Sequence, residues 1–110
     1  MDGYKLEYRH EVDGDMKAIY NYIAIEKSNP EGAQNTIRKI KRLIDELKSA
    51  PIRGRVLGVD RNTNLDIRQV STKNYSVLFE VDESNLVVDI VLVTYGRRNL
   101  PKLLRRRLGG

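Results

Sequence analysis

Basic and aromatic side chains are the residues of this sequence best suited to chemistry. They occur in the middle of one apolar stretch, at the connection that follows it, and at the end of the last apolar stretch. Arginine can bind phosphate oxygens through paired hydrogen bonds, and a tyrosine ring can stack on a nucleobase. The same side chains also occur on a solvated sheet face, where arginine stems cover apolar surface, and both interpretations stay open. The set is Arg68, Lys73, Tyr75, Tyr95, Arg97 and Arg98.

The positive charge of the chain is concentrated at its C-terminal end. From Arg97 onward there are six basic residues and no acidic ones, whereas residues 1–96 carry a net charge of about −1. The formal net charge of +5 therefore comes from the last fourteen positions. Such a segment suits nucleic acid or an acidic protein partner, and net charge does not choose between them. The six residues are Arg97, Arg98, Lys102, Arg105, Arg106 and Arg107.

Other kinds of site have little support. The absence of cysteine excludes disulfides, thiolate zinc sites and cysteine nucleophiles. His10 is the only histidine, and we interpret it as a satisfied or solvent-facing side chain. Asp82 and Glu83 suit a solvated turn better than a pair of catalytic carboxylates. Asp89 interrupts the apolar run LVVDIV, and alternation places it on the same face as Val93 and Tyr95. We expect it at an exposed edge or paired with an arginine, and we expect no metal and no cofactor.

Hydrophobic periodicity predicts an α+β fold. The chain shows a half-buried strand, then two helices with apolar stripes, the second capped by Asn29 and opened by Pro30. Three β-rich stretches with hairpin-sized connections follow and predict an antiparallel meander. The strands are predicted at residues 4–9, 65–72, 74–82 and 86–95, and the helical stripes run through 12–23 and 33–47, the second helix ending near Ala50.

The order β-α-α-β-β-β predicts two antiparallel helices on one face of a twisted, mainly antiparallel sheet of about four strands. Residues 52–64 have no clear period, so we predict a loop with room for a short strand. The segment LPKLLRRRL predicts a terminal helical turn or two, docked on the sheet by Leu100, Leu103 and Leu104. The meander would bring Tyr95 and Arg98 near Arg68, Tyr75 or Lys73.

We predict one domain over residues 1–110, with residues 97–110 as its basic extension. No apolar stretch resembles a signal peptide or approaches the length of a membrane span. We therefore expect a cytoplasmic protein that has no membrane partner.

Four motifs in sequence order resemble one family. YKLEYRHEVDGDMKAIYNYI is similar to its first strand and helix, and NPEGAQNTIRKIKRLIDELKSAPIRG to its second helix. Ile67 and Arg68, followed by NYSVLF, are similar to its hairpin, and VVDIVLVTYGRRN to its closing strand, with Tyr95 in place of a common histidine. Over about residues 4–107 the chain resembles the RelE/ParE superfamily, the toxins of bacterial type II toxin–antitoxin systems, often called plasmid stabilisation proteins.

The resemblance implies one of two activities. RelE-like members cleave mRNA in the ribosome with basic residues and an acid/base side chain, whereas ParE-like members poison DNA gyrase. The arginine that such nucleases carry after the hairpin tyrosine is Ser76 here, and their C-terminal tyrosine falls near Leu104. The terminal His-Tyr pair of the YoeB-like branch is absent as well. The resemblance therefore favours the ParE-like branch.

The expected function is growth inhibition through gyrase, neutralised by a cognate antitoxin in a hetero-oligomer. The residues expected to bind the target or nucleic acid are Lys73, Tyr75, Arg97, Arg98, Lys102, Arg105, Arg106 and Arg107. The alternative is a metal-independent, ribosome-dependent endoribonuclease in which Arg68, Tyr95 and Arg98 are catalytic. A second alternative is an inactive member that only binds an antitoxin.

Overall fold

The computed structural model describes residues 3–109, so the two first residues and the last residue of the predicted domain lie outside it. The α+β prediction is confirmed. Between residues 3 and 109 no helix is long and apolar enough to cross a membrane. In chain order the elements are β1 (Lys5–Tyr8), α1 (Glu11–Asn21) continued by a π-helical segment (Tyr22–Glu26), α2 (Pro30–Glu46), β2 (Arg55–Asp60), β3 (Leu65–Ser71), β4 (Tyr75–Asp82), β5 (Val87–Tyr95) and α3 (Leu100–Arg107).

The sheet has five strands in the order β1-β5-β4-β3-β2, whereas the sequence predicted about four. The fifth is β2, which pairs antiparallel with β3 at the edge of the sheet and has an irregularity between Val56 and Gly58. β1 pairs with β5 in parallel, and the other neighbours are antiparallel. The predicted meander is therefore present and is extended by one strand on each side.

One face of the sheet carries α1 and α2 over the larger apolar cluster. Ile40, Ile44, Val77 and Phe79 have no exposed surface, so this cluster is the main core. The predicted cap is confirmed, because the side-chain oxygen of Asn29 accepts a hydrogen bond of 2.9 Å from the Gly32 amide. The helix ends at Glu46, a few residues before the predicted end near Ala50.

The other face carries α3 over a smaller apolar cluster. Leu104 is buried among Ile67, Leu78, Val91 and Leu92. Leu100 and Leu103 pack against the same cluster, as the sequence predicted. An apolar stripe on α3 thus holds the basic C-terminal segment on the sheet, and all of its charged residues except Arg107 are exposed.

A β-bulge in β5 changes which residues share a face. Leu78 pairs with Leu92 and Phe79 with Ile90, so Val91 is the extra residue. Val91 and Leu92 both pack under α3, and Val93 returns to the main core. The expectation that Asp89 shares a face with Val93 and Tyr95 is therefore wrong, because strict alternation fails at a bulge.

Candidate functional site

The register of the meander brings part of the predicted set together. Tyr75, at the start of β4, pairs with Tyr95, at the end of β5. The Gly96 amide donates to the Asn74 carbonyl at 2.6 Å, and Gly96 has a positive φ of 79°, a conformation that favours glycine. The hairpin that contains Lys73 consequently lies beside the segment that follows β5, as expected.

Arg68 does not join this group. It pairs with Phe79, four residues along β4 from Tyr75, and β4 separates it from β5. At the usual rise of a strand, four residues correspond to about 13 Å along the strand direction. Arg68 is therefore about this far from the Tyr75–Tyr95 pair along the sheet, and it is also two strands away from Tyr95 across the sheet. Arg68 lines a separate cleft with Asp66 and Glu83. The expectation that Arg68 approaches Tyr95 is wrong, because the first half of β3 lies toward the opposite end of the sheet.

Tyr75 belongs to the main core. It is 9 % exposed and lies beside Leu43 of α2, with Lys39, Arg42 and Glu46 around it. Its side chain therefore supports the fold beneath α2, and little of its surface is left for the predicted contact with a target.

Tyr95, Arg97 and Arg98 line a polar cleft of about 560 Å³ together with Tyr22 and Glu26. We call it the tyrosine cleft. The rings of Tyr22 and Tyr95 have centroids 6.1 Å apart and are tilted by 51°, and Lys27 Nζ lies 5.6 Å from the Tyr22 ring centre. Sequence reasoning missed Tyr22, Glu26 and Lys27. The available signal was Tyr22, an aromatic residue outside the apolar stripe of its helix.

The π-helical segment explains how α1 reaches this cleft. A π-helix carries its side chains at a different angular spacing from an α-helix, and such segments are frequent at functional sites. Here the segment begins at Tyr22 and ends at Glu26, which are the two of its residues that line the cleft. The end of α1 and the end of β5 therefore supply the two walls.

Five exposed cations near the C-terminal end form a group that we call the basic surface. Arg97 and Arg98 line the tyrosine cleft, and the other three lie on α3. None of the five forms an ion pair with any residue between 3 and 109. Arg98 donates a hydrogen bond from its Nε to the Tyr95 carbonyl, at 3.3 Å. The charges are thus available to an external partner. The members are Arg97, Arg98, Lys102, Arg105 and Arg106.

Arg107, the sixth predicted cation, binds within the chain. Its guanidinium donates two hydrogen bonds to Asp15, at 2.7 and 2.9 Å, and one to the Val91 carbonyl at 2.8 Å. Asp15 Oδ2 also accepts a hydrogen bond of 3.0 Å from the Val93 amide. The hydrogen bonds to Asp15 raise the pKa of Arg107 above its ordinary value. Arg107 therefore fixes α3 to α1 and β5.

A second charge group, the Arg9 cluster, lies at the other end of β5. The Arg9 guanidinium donates to Asp89 at 2.8 Å, Glu80 at 2.9 Å and Asp60 at 3.2 Å. Asp89 thus has the arginine partner that was one of its two expected roles. Asp60 and Glu80 are each 1 % exposed, so a substrate has no access to them. We interpret the cluster as structural.

The ionisation of the Arg9 cluster follows from burial and hydrogen bonding. Burial raises the pKa of the Glu80 carboxyl to about 7, and its hydrogen bond with Asp60 adds to the shift. The same hydrogen bond lowers the pKa of Asp60. Burial alone would lower the pKa of Arg9, but Asp89 and the neighbouring carboxylates raise it. Within residues 3–109 no group of His, Cys, Asp or Glu is arranged to hold a metal ion.

The sheet face beside α3 carries neutral polar residues near the tyrosine cleft. Gln69 donates to the Ser71 hydroxyl at 2.8 Å, and the Ser71 and Ser76 hydroxyls lie 2.7 Å apart. Ser76 is 8 % exposed and pairs with Thr94 across the sheet. This row contains no charged side chain that could bind a phosphate or take up a proton near neutral pH.

Comparisons with known proteins place the chain among toxins of toxin–antitoxin systems. It shares its fold with a chain of the toxin–antitoxin complex RelBE2 from Mycobacterium tuberculosis, with a TM-score of 0.61 and 13 % identity over 87 % of this chain and 94 % of that one. It also shares its fold with a chain of the chromosomal ParDE system from P. aeruginosa, with a TM-score of 0.63 and 18 % identity over 88 % of this chain and 100 % of that one. No curated protein sequence matches the chain. Residues 6–100 match the family described as the ParE toxin of the type II toxin–antitoxin system parDE. The chain belongs to this family of toxins, within the RelE/ParE superfamily.

Proposed function

We propose that the chain inhibits bacterial growth through DNA gyrase, by protein–protein contact, and is neutralised by a cognate antitoxin. The observation that carries the proposal is the basic surface. Its five cations have no ion-pair partner among residues 3–109, and two of them, Arg97 and Arg98, line the tyrosine cleft. Arginine and tyrosine are enriched among the residues that contribute most to protein interfaces. A surface of one charge sign also speeds the encounter with a partner of opposite sign.

An mRNA endonuclease of the RelE type has less support. Arg68 is far from Tyr95 and Arg98, so the three residues do not form one phosphate site. Where such nucleases carry an arginine, Ser76 is nearly buried and bonded to Ser71. Leu104, near the position of their C-terminal tyrosine, is 7 % exposed and packs from α3 onto the sheet. At these two positions the chain therefore supplies neither the arginine nor the tyrosine that the resemblance assigns to such nucleases.

The partner that we propose for the free protein is an antitoxin with an acidic segment. The two solved relatives are toxin–antitoxin systems, one of them described as a complex. Complementary charge would place the acidic segment on the basic surface, where it competes with the target. The active toxin and its complex would then both be cytoplasmic, the compartment that holds gyrase.

Induction of this chain alone in bacteria tests the proposal. We expect growth arrest with loss of negative supercoiling and a DNA-damage response, and restored growth when a cognate antitoxin is co-expressed. The double variant Arg97→Ala/Arg98→Ala should relieve the arrest. The variant Lys39→Ala/Lys41→Ala removes the same charge from the exposed side of α2 and should stay toxic.

Two outcomes would reject the proposal. Rapid loss of translation with mRNA cut at codon boundaries would indicate the nuclease. Normal growth at a verified level of folded protein would indicate an inactive member that only binds its antitoxin.

A further inference from the structure

We propose that Asp15 is a positioning residue that holds the two halves of the basic surface in one arrangement. One half is the segment Tyr95–Arg98 at the end of β5, and the other is α3 with its outward cations. The expected consequence of losing Asp15, weaker binding of the target, rests on the proposed function. Its structural part can be tested without any target.

The position of Asp15 follows from where β1 ends. The pairing of β1 with β5 stops at Tyr8 and Ile90, so from Val91 onward this edge of β5 has no strand beside it. The β-bulge at Val91 lies where the pairing with β1 ends. Edge strands leave backbone hydrogen-bonding groups without partners, and buried ones are costly when unsatisfied. Here the Val91 carbonyl is bound by Arg107 and the Val93 amide by Asp15. A pair of side chains thus takes the place of a neighbouring strand.

The carboxylate of Asp15 connects both halves directly. Its Oδ2 accepts from the Val93 amide, two residues before Tyr95, and it also lines the tyrosine cleft. Its two oxygens bind the two terminal nitrogens of Arg107, the last residue of α3. Bidentate pairs of this kind fix orientation as well as distance. The orientation of α3 relative to the end of β5 is therefore set by one side chain of α1.

α3 depends on such a contact because it is short. A helix of eight residues is unstable on its own in water. Leu104 is the only residue of α3 that is buried. Asp15 and Arg107 are 14 % and 17 % exposed in their side chains, so removing one partner leaves a half-buried charge without compensation. Loss of Asp15 should loosen α3 while the main core under α1 and α2 stays intact.

Hydrogen exchange of the full-length toxin, read by mass spectrometry, tests the structural part. In Asp15→Ala we expect the amides of residues 100–108 to exchange roughly ten-fold faster or more, with the exchange of α2 unchanged. The matched control is Asp13→Ala in the same helix. The Asp13 side chain is 77 % exposed and pairs with Lys17 of its own helix, so exchange in α3 should not change. Asp15→Glu keeps the carboxylate and should restore most of the protection.

Inhibition of purified gyrase tests the functional part on the same proteins. We expect Asp15→Ala to need about ten-fold more toxin for half inhibition, and Asp15→Glu and Asp13→Ala to stay near the wild type. Arg106→Ala should weaken gyrase inhibition without faster exchange in α3, because it removes one proposed contact with the target and leaves the position of α3 unchanged. If Asp15→Ala fails to fold, Asp15→Asn keeps an acceptor for the Val93 amide and serves in its place.

Unchanged exchange of α3 in a folded Asp15 variant would overturn the inference. Faster exchange with undiminished gyrase inhibition would overturn the positioning role as well. A wild-type protein that does not inhibit gyrase would reject the proposed function instead. In that case the exchange data alone decide whether Asp15 positions α3.

Discussion

Glu80 Oε2 lies 2.9 Å from Arg9 Nη2, and the side chain of Glu80 is almost completely buried, whereas that of Arg9 is 23 % exposed. The same guanidinium binds Asp60 and Asp89. One arginine that follows β1 therefore connects residues from β2, β4 and β5. The arrangement is costly to disrupt, because the buried Asp60 and Glu80 side chains both depend on hydrogen bonds from this single cation.

Removal of this cation should strongly destabilise the fold. Arg9→Ala leaves the buried Asp60 and Glu80 without their counter-ion, and we expect a loss of about 3–5 kcal/mol in the free energy of unfolding. Urea denaturation of the variant and the wild type measures the change. The control is Arg38→Ala, on the exposed side of α2 with one hydrogen bond to Asn35, which should change stability by no more than about 0.5 kcal/mol. A loss below about 1 kcal/mol for Arg9→Ala would show that the cluster is not needed.

Stability should fall as pH rises from about 4.5 to 7. In this window the native Glu80 holds a proton, since its pKa is about 7, whereas the unfolded chain has released it at the ordinary value of 4.5. The native state then binds more protons, so its stability decreases with pH, by roughly 3 kcal/mol over the window. Asp60, whose pKa is lowered, acts in the opposite direction and only near or below its ordinary value of 3.8.

The variant Glu80→Gln isolates this effect. Its amide keeps a donor for Asp60 and an acceptor for Thr63 but has no proton to release, so the decrease should disappear. Urea titrations at several pH values compare it with Glu83→Gln, a change in the turn after β4 that should keep the wild-type slope. An equal slope in Glu80→Gln would show that another group causes the pH dependence.

Gly54 should not tolerate a side chain. It has a φ of +77°, and an added Cβ would lie 2.1 Å from the Gln69 carbonyl oxygen of β3. We expect Gly54→Ala to destabilise the protein by roughly 2 kcal/mol or more, because backbone has to move. Gly14→Ala in α1 meets no atom within 4 Å and should stabilise by about 0.5–1 kcal/mol. Thermal melts of both variants measure the changes in stability. A Gly54→Ala protein as stable as the wild type would mean that Gly54 does not lie this close to the backbone of β3.

Tyr22 should contribute to target binding more than to stability. Its ring is partly exposed and forms one wall of the tyrosine cleft against Tyr95. We expect Tyr22→Ala to weaken gyrase inhibition about ten-fold, as for an aromatic interface residue. Tyr8→Ala removes an exposed tyrosine outside the cleft and is the control. Equal inhibition by both variants would exclude the cleft from the interface.

The sequence was sufficient for the elements whose pattern is local. The stripes of α1 and α2, the Asn29 cap and the three meander strands follow from period and turn residues. β2 has a weaker pattern, because it is an edge strand with a glycine and an irregular register. The bulge at Val91 could not be predicted from the sequence. The residues around it are apolar on both faces of the sheet, so no change in polar–apolar alternation shows where the register shifts.

The candidate site was predictable only in part, for a physical reason. Tyr95, Arg97 and Arg98 lie together in sequence, and their proximity to Tyr75 follows from hairpin pairing. Asp15 and Arg107 are 92 residues apart, and Arg9 and Asp89 are 80 apart. Such pairs depend on how α3 and β1 meet the edge of β5, which no local pattern contains. Arg107 therefore looked like the other cations of its segment, although it is bound within the fold.

The most direct measurement is the supercoiling activity of purified gyrase in the presence of the purified toxin. We expect dose-dependent inhibition by the wild type and by Lys39→Ala/Lys41→Ala, and at least about ten-fold weaker inhibition by Arg97→Ala/Arg98→Ala with an unchanged thermal melt. Full supercoiling at every toxin concentration, with mRNA cleaved when ribosomes are supplied, would contradict this expectation.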